Sequence, residues 1–300
     1  MFKRILLPLD GSELAEITLP YGEELARRMG CEVVLLHVRG PERQQEYEHI
    51  HQVYLDRLAE TVEANIKGGQ PKARKVKVST KVVSGEPQES ICRLVDENDV
   101  DLIIMTAVST SGLKIGKMLG SVTDHVCRTV PKPVMLIRPQ SARQTKKKEQ
   151  LINKLMITLD GSELSKLALP IAEELASKLK ISATLFRMAT LVRLLDNGSE
   201  SGAFVDYAKL NETEKKRVER EMTALEKELK KKGLDVSHIV TLGFDAAEDI
   251  IETAKKTKSD LMVMSTHGRS GLGRFAFGSV AEKILRHGEI PLVLVNARAG

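Results

Sequence analysis

Short apolar runs alternate with longer amphipathic stretches along the whole chain, and the runs are rich in valine, isoleucine and leucine. Such alternation is typical of a parallel β-sheet whose strands are joined by helices. It predicts five strands in each half of the chain. The predicted strands cover residues 4–9, 33–38, 76–83, 102–106 and 134–137 of the first half, and 155–159, 183–188, 236–241, 261–264 and 292–295 of the second.

The amphipathic stretches predict helices between these strands. In the first half the predicted helices cover residues 12–29, 45–66, 87–98 and 121–129, with counterparts in the second half. Pro20 and Pro170 fall inside the first helix of each half. A proline there either kinks the helix or marks a later start, and the pattern leaves both outcomes open.

The chain is an internal repeat. The stretch "LDGSEL" occurs at residues 9–14 and again at 159–164, and "EELA" at 23–26 returns at 173–176 with the same spacing. Because the similarity extends through each half, the repeated unit is a whole domain. We expect a first domain at residues 1–140, a linker at 141–150 and a second domain at 151–300.

The last predicted strand of each half is short and apolar and follows a proline, as "PVMLIR" and "PLVLVN". Such a strand at a sheet edge is an unprotected pairing surface. We therefore expect the two halves to pair through these strands as a pseudo-dimer within one chain. The predicted fold class is α/β, with two tandem doubly wound domains of five parallel strands each.

Composition changes this picture little. The content of 42% hydrophobic and 29% charged residues in 300 is typical of a soluble globular protein, and no apolar run approaches the length of a membrane span. The three cysteines are far apart and lie in segments patterned as core, which favours reduced thiols and a cytoplasmic location. His49 and His51 are two residues apart on a helix and point to different faces, so we predict no metal site there.

The net charge of +5 comes from 46 basic against 41 acidic residues, mostly mixed along the helices. Aromatic residues make up 3% and tryptophan is absent, so there is little material for stacking on bases. The one basic run, "RQTKKK" at 143–148, falls where the linker is expected. The sequence therefore predicts neither a nucleic-acid partner nor a membrane partner.

A glycine-rich loop follows the fourth predicted strand of the second half, in "STHGRSGLGRFAFGSVAEKIL" at 265–285. Gly268 and Gly271 allow backbone amides to approach an oxyanion. Gly278 and Ser279 then open a helix, whose free N–H groups and dipole favour negative charge. The spacing is equally compatible with a cradle for a di- or triphosphate and with a tight surface turn that Ser279 caps.

Other nucleotide motifs are missing from the chain. There is no GxxxxGK[ST], and no GxGxxG follows a first strand. Turnover of a nucleotide would need a base or metal-binding carboxylates beside the phosphates, and only Asp160 and His267 fall near the loop. His267 is as readily a packed or solvated residue, so we predict no catalytic residue.

The loop motif carries a family resemblance. Ser265-Thr-His-Gly268, nine residues and then Gly278-Ser279 match the pattern G-x-x-G, nine residues, G-[ST], with serine at the first glycine. Together with "LDGSE" and the proline-led last strand, this resembles the universal stress proteins in their tandem two-domain form. The resemblance implies an adenine-nucleotide alpha-hydrolase-like fold. It also implies that the protein binds ATP, with or without Mg²⁺. The phosphates of the ATP would lie on the loop and its adenine near the ends of strands one and two.

The resemblance also implies the residues of the site. Asp160, Gly268, Gly278 and Ser279 match the binding positions of the family directly, Ser265 stands at the first glycine, and Val280 is the next amide donor of the helix. Arg269 is within reach of a phosphate, although a loop arginine is often merely solvated.

The first half departs from the loop pattern. Thr106 and Ser109 stand at the two early glycine positions, and ten residues instead of nine precede Gly120. Asp10, Gly120 and Ser121 remain as a weaker first-domain site. We therefore expect a weak or empty first site, with the first half as structural partner of the second.

The leading hypothesis is an ATP-binding stress-response or regulatory protein in which nucleotide in the second domain tunes conformation or the binding of an unidentified protein partner. Two alternatives remain open, a nucleotide-free interaction scaffold and a slow ATP-hydrolysing enzyme. We favour binding over catalysis, with a weak ATPase as the upper limit. A homodimer of the tandem chain also remains open.

Overall fold

The computed structural model describes residues 2–40, 48–68, 76–108, 119–139, 150–191, 206–267 and 277–296. Residues 141–149 of the predicted linker lie outside them. The elements of the first half are β1 (Arg4–Pro8), α1 (Glu13–Glu16), α2 (Leu19–Met29), β2 (Glu32–Arg39), α3 (Glu48–Gly68), β3 (Val78–Ser84), α4 (Pro87–Glu97), β4 (Leu102–Thr106), α5 (Ser121–Thr129) and β5 (Val134–Ile137).

The second half repeats this order. Its elements are β6 (Lys154–Thr158), α6 (Glu163–Lys166), α7 (Ala168–Leu179), β7 (Ser182–Thr190), α8 (Tyr207–Lys231), β8 (Val236–Gly243), α9 (Ala246–Thr257), β9 (Leu261–Ser265), α10 (Ser279–His287) and β10 (Leu292–Val295). All ten predicted strands are present, with ends that differ by one or two residues.

The strands form one ten-stranded sheet in the order β3-β2-β1-β4-β5-β10-β9-β6-β7-β8. Neighbours are parallel except for β5 and β10, which pair antiparallel. Strand β1 pairs with both β2 and β4, and β6 pairs with both β7 and β9. Strand order therefore reverses at β1 and at β6, and a crevice opens beside the carboxyl end of each.

The pairing of the last strands is confirmed. Met135 lies opposite Val293, with Leu136 opposite Leu292 on one side and Val134 opposite Leu294 on the other. Because alternate residues of these strands point to opposite faces, both core layers continue from one half into the other. Strands β5 and β10 thus each cover the sheet edge that the other would leave exposed.

The first predicted helix of each half is broken in two. In the first half, α1 is capped by Ser12, whose Oγ accepts the Ala15 N–H at 3.1 Å, and α2 begins anew at Leu19 with Pro20 in its first turn. Proline costs no hydrogen bond in a first turn, so it marks a late start. The single helix expected at residues 12–29 is therefore wrong in detail.

The repeated "EELA" motif ties the two halves together. The Glu24 carboxylate, 3% exposed, accepts the backbone N–H groups of Leu151 at 2.6 Å and Ile152 at 3.2 Å. Reciprocally, Glu174 accepts the backbone N–H of Phe2 at 2.6 Å. The second glutamate of each motif thus binds the chain just before the first strand of the other half.

The remaining expectations concern cysteines, metals and membranes. Cys31 and Cys127 are buried thiols, whereas Cys92 is only partly buried. His51 stacks on His37 with ring centroids 4.2 Å apart, and the described residues contain no cluster of three or more metal-ligating side chains. Within the described part of the chain, no helix is long and apolar enough to cross a bilayer.

Candidate functional site

A cavity of about 280 Å³ opens in the second half at the carboxyl ends of β6, β7 and β9. It lies at the point where strand order reverses, between the sheet and the starts of α9 and α10. Ligands of open α/β sheets bind in crevices of this kind, because the loops that follow the strands diverge there. This is the region to which the predicted loop and Asp160 were assigned.

One wall of the cavity is apolar. Phe186 and Met188 project from β7, Met264 from β9, and Ala246 and Ile250 from the first turns of α9. Phe186, Met264 and Ile250 belong to the buried core beneath the cavity, so this wall is fixed by packing. A rigid apolar wall suits a flat, weakly polar ring.

Other groups that line the cavity are polar, and they include the start of α10. Gly278 is the N-cap and provides no side-chain cap, so the amides of Ser279, Val280 and Ala281 lack acceptors within the helix. All three residues line the cavity. Their N–H groups and the helix dipole favour an anion at this end.

Gly278 also has a structural role, the closing of the loop at its base, which could not be predicted from the sequence. Its N–H donates to the carbonyl oxygen of Thr266 at 2.9 Å, which closes the loop at its base. The first half repeats this bond from Gly120 to Ala107 at 3.2 Å. Since its own amide is engaged, Gly278 sets the geometry of the helix start and leaves anion binding to the amides that follow.

Ser265 lines the cavity, but its hydroxyl is directed to the backbone. Its Oγ accepts the His267 N–H at 3.2 Å and donates to the His267 carbonyl. Thr106 makes the corresponding bond to the Val108 carbonyl at 3.1 Å in the first half. A hydroxyl at the first glycine position therefore shapes the entry of the loop in both halves.

The "DGS" turn after β6 brings Asp160 to the cavity. Its Oδ1 accepts the Ser162 N–H at 2.8 Å and the Ser162 hydroxyl at 2.7 Å. Gly161 has a φ of +88°, which favours glycine, and a Cβ there would clash with the guanidinium of Arg187. Asp10 and Ser12 form the same turn in the first half.

Arg187 is a residue of this region that sequence reasoning missed. It is 5% exposed near the end of β7, and its Nη1 donates to Oε2 of Glu221 at 2.6 Å. Its Nε is buried without a hydrogen-bond partner. The signal was a lone arginine in an otherwise apolar strand. The corresponding residue of the first half is His37, whose Nδ1 is 2.8 Å from the Leu9 carbonyl oxygen.

The structure brings Asp160, Ser265, Gly278, Ser279 and Val280 together around one cavity. Other predicted positions lie outside the described residues, namely Gly268, Gly271, Arg269 and, in the first half, Ser109. His267 also lines the cavity, and its Nδ1 lies 3.0 Å from Oγ1 of Thr266.

The fold and the cavity define a class of protein: a tandem pair of doubly wound α/β domains whose fourth strands each lead to a glycine-serine helix start. The model of the Universal stress protein family matches residues 1–138 and 152–296. The chain belongs to the universal stress protein family.

Similar proteins agree with this assignment along the whole chain. Universal stress protein Slr1230 of Synechocystis is 25% identical over 313 residues, which cover 97% of this chain and 99% of that protein. Universal stress protein MJ0577 of Methanocaldococcus jannaschii is 30% identical over 161 residues, which cover 47% of this chain and 98% of that protein.

Solved structures share the tandem fold. A universal stress protein from Archaeoglobus fulgidus superposes with a TM-score of 0.72 at 18% identity and covers 100% of both chains. Another member has been solved in complex with cAMP, and it covers 46% of this chain and 97% of its own at 18% identity and a TM-score of 0.35.

Proposed function

We propose that the second half, in a domain spanning residues 151–300, binds an adenine nucleotide, ATP in the first instance, and that the bound nucleotide tunes conformation or the binding of a protein partner. The observation that supports this most is the lining of the cavity. It combines an apolar wall with the three amides of Ser279, Val280 and Ala281, which lack acceptors in their helix.

The apolar wall and the helix-start amides each suit a different part of the ligand. The adenine ring would lie against Phe186, Met188 and Ile250, and the phosphates would accept hydrogen bonds from the amides at the start of α10. Asp160 also lines the cavity, and its carboxylate suits the hydroxyl groups of a ribose. Mg²⁺, if present, would be held mainly by the phosphates.

The proposal is one of binding, with weak hydrolysis as the upper limit. Among the described residues that line the cavity, Asp160 is the carboxylate and His267 the imidazole. Oδ1 of Asp160 already accepts two hydrogen bonds from Ser162, and His267 lies beside Thr266. A base held in this way is poorly placed to activate water. The free thiols fit a reducing compartment, so the proposal places the protein in the cytoplasm.

The first test is to purify the chain without added nucleotide, denature it and identify any released small molecule by mass spectrometry. We expect about one ATP per chain, or stoichiometric binding when ATP is titrated back. Titration with cAMP asks whether adenosine with one phosphate is sufficient.

A pair of matched variants locates the site. Ser279→Asp places a negative charge at the exposed first position of α10, where it favours the helix but repels a phosphate. We expect it to weaken ATP binding by at least about tenfold, an estimate that corresponds to about 1.4 kcal/mol. Ser121→Asp makes the same change at the start of α5 and should leave the binding unchanged. Equal effects of the two variants would contradict the assignment of the site to the second half. Absence of ATP binding by the unaltered chain would favour the nucleotide-free scaffold.

A further inference from the structure

The first half contacts the end of the nucleotide loop of the second half. Phe277 immediately precedes Gly278, the N-cap of α10. The guanidinium of Arg128, in the last turn of α5, lies over the Phe277 ring with its Cζ 4.2 Å from the ring centroid. This is a cation–π contact between the two halves at the edge of the proposed phosphate site.

Arg128 is held in this position from two sides. Its Nε and Nη2 donate to the two carboxylate oxygens of Asp124 at 2.7 and 2.8 Å, which fixes the plane of the guanidinium. Its backbone carbonyl accepts the side-chain amide of Asn296 at 3.2 Å. Asn296 follows β10, so the second half also binds the backbone of the residue that covers its loop.

Charge at this contact favours the same arrangement. The pKa of Arg128 is raised, first by the hydrogen bonds to Asp124 and then by nearby acidic groups that include Glu282. Glu282 is in the first turn of α10. The guanidinium is therefore held by acidic groups from both halves, Asp124 of α5 and Glu282 of α10, which favours its position at this contact.

Among the described residues, the second half makes no equivalent cation–π contact with the first half. Arg286 occupies the corresponding position of α10 and pairs with Glu282 at 2.6 Å, as Arg128 pairs with Asp124. Its side chain is nevertheless 59% exposed, and Leu119 stands where the second half has Phe277. In the described part of the chain, no aromatic ring lies under Arg286. The first half thus supports the loop of the second half, without a reciprocal contact.

We propose that Arg128 is a positioning residue for the nucleotide site of the second half, which it holds in a binding geometry by fixing Phe277 at the start of α10. This inference rests on the proposed function. It assigns the first half a defined task that does not need a nucleotide of its own. Because coupling between sites is reciprocal, nucleotide in the second half should in turn stabilise the contact between the halves.

The affinity test uses the full chain and calorimetric titration with ATP. Arg128→Ala and Phe277→Leu should each weaken binding about 3- to 10-fold, the range expected for a partly desolvated cation–π contact. The double variant should be little weaker than either single variant, because both remove the same contact. Arg286→Ala is the matched control and should leave affinity unchanged. Urea midpoints of all variants show whether each remains folded.

A second measurement reports on position without any nucleotide. The chain has no tryptophan, so Phe277→Trp introduces a single tryptophan, which can be excited selectively over the tyrosines and keeps an aromatic ring beneath Arg128. This variant should retain ATP affinity where Phe277→Leu loses it. Its quenching by acrylamide, measured without ATP, should increase when Arg128→Ala is added, because the indole is uncovered.

The outcomes separate the two proposals. Unaltered ATP affinity in folded Arg128→Ala, or acrylamide quenching of the Phe277→Trp variant that does not respond to Arg128→Ala, would overturn the positioning role while leaving nucleotide binding intact. If additive losses appeared in the double variant, Arg128 and Phe277 would act independently, which also contradicts the proposal. If the unaltered chain bound no adenine nucleotide, the proposed function and this inference would both fail.

Discussion

Replacing Glu24 by alanine should lower the free energy of unfolding of the whole chain by about 3–5 kcal/mol, the loss typical of removing one member of a buried charged pair. Its carboxylate is 3% exposed and lies at the junction of the two halves. It accepts N–H groups of Leu151, Ile152 and Arg28 at 2.6, 3.2 and 2.7 Å.

The magnitude follows from these bonds. A hydrogen bond to a charged group contributes about 1.5–3 kcal/mol, so the two backbone bonds account for about 3–6 kcal/mol. Arg28 keeps the carbonyl oxygens of Ile152 and Leu179 as acceptors, so its own charge is not left without partners. This places the expected loss toward the lower part of the range. Glu24→Gln keeps the shape and one acceptor, and should lose about half as much.

The assay is urea unfolding of the full chain, followed by far-ultraviolet circular dichroism and extrapolated linearly to water. Glu23→Ala is the matched control from the same motif. Among the described residues, Glu23 accepts an exposed side-chain bond from Asn65 at 3.0 Å, so its loss should be about 0.5 kcal/mol. Glu174→Ala removes the half-buried bond to Phe2 and should fall between the two.

Two results would refute this reasoning. If Glu24→Ala cost no more than Glu23→Ala, the bonds across the junction would contribute nothing measurable to stability. If instead the chain unfolded in two separate steps and Glu24→Ala changed only one of them, the halves would not be one cooperative unit despite their continuous sheet.

Further predictions concern glycine and cysteine residues. Gly161→Ala should cost about 1–2 kcal/mol for its positive φ and a further, smaller amount because the Arg187 guanidinium must shift. Gly11→Ala, at a φ of +86° with nothing within 4 Å, should show only the first cost in the same urea experiment, and equal losses would contradict the clash. Burial raises the pKa of the Cys127 thiol, so at pH 8 it should stay protonated and react with a disulfide reagent far more slowly than the partly buried Cys92. Faster labelling of Cys127, checked by peptide mapping, would contradict that order.

The strands could be read from the sequence because parallel strands are buried on both faces and form continuous apolar runs. The break between α1 and α2 could not, since Pro20 allowed either a kink or a new start. The structure shows a new start, and Thr18 at the break is fully buried with its hydroxyl on the Ala15 carbonyl. The local sequence around Pro20 allowed two conformations, and tertiary packing selected one of them.

In the candidate site, too, some features could be predicted from the sequence and others could not. Strand-end reasoning placed Asp160 beside the start of α10, because carboxyl ends of parallel strands meet at one edge of a sheet. It did not find that the Gly278 amide is engaged by Thr266, or that Arg187 lies against Gly161. Those facts depend on which atoms face each other, and sequence spacing does not specify that.

By itself, then, the sequence determined the duplication, the ten strands and the position of a helix start behind each fourth strand, since each follows from local hydrophobic periodicity and glycine chemistry. The contacts between the two halves, in contrast, depend on how the assembled domains pack against each other. Glu24 reaches Leu151, and Arg128 covers Phe277, across long separations in the chain. Such contacts exist because antiparallel pairing of β5 with β10 brings the helices of both halves side by side, and that geometry arises only when the whole sheet is assembled.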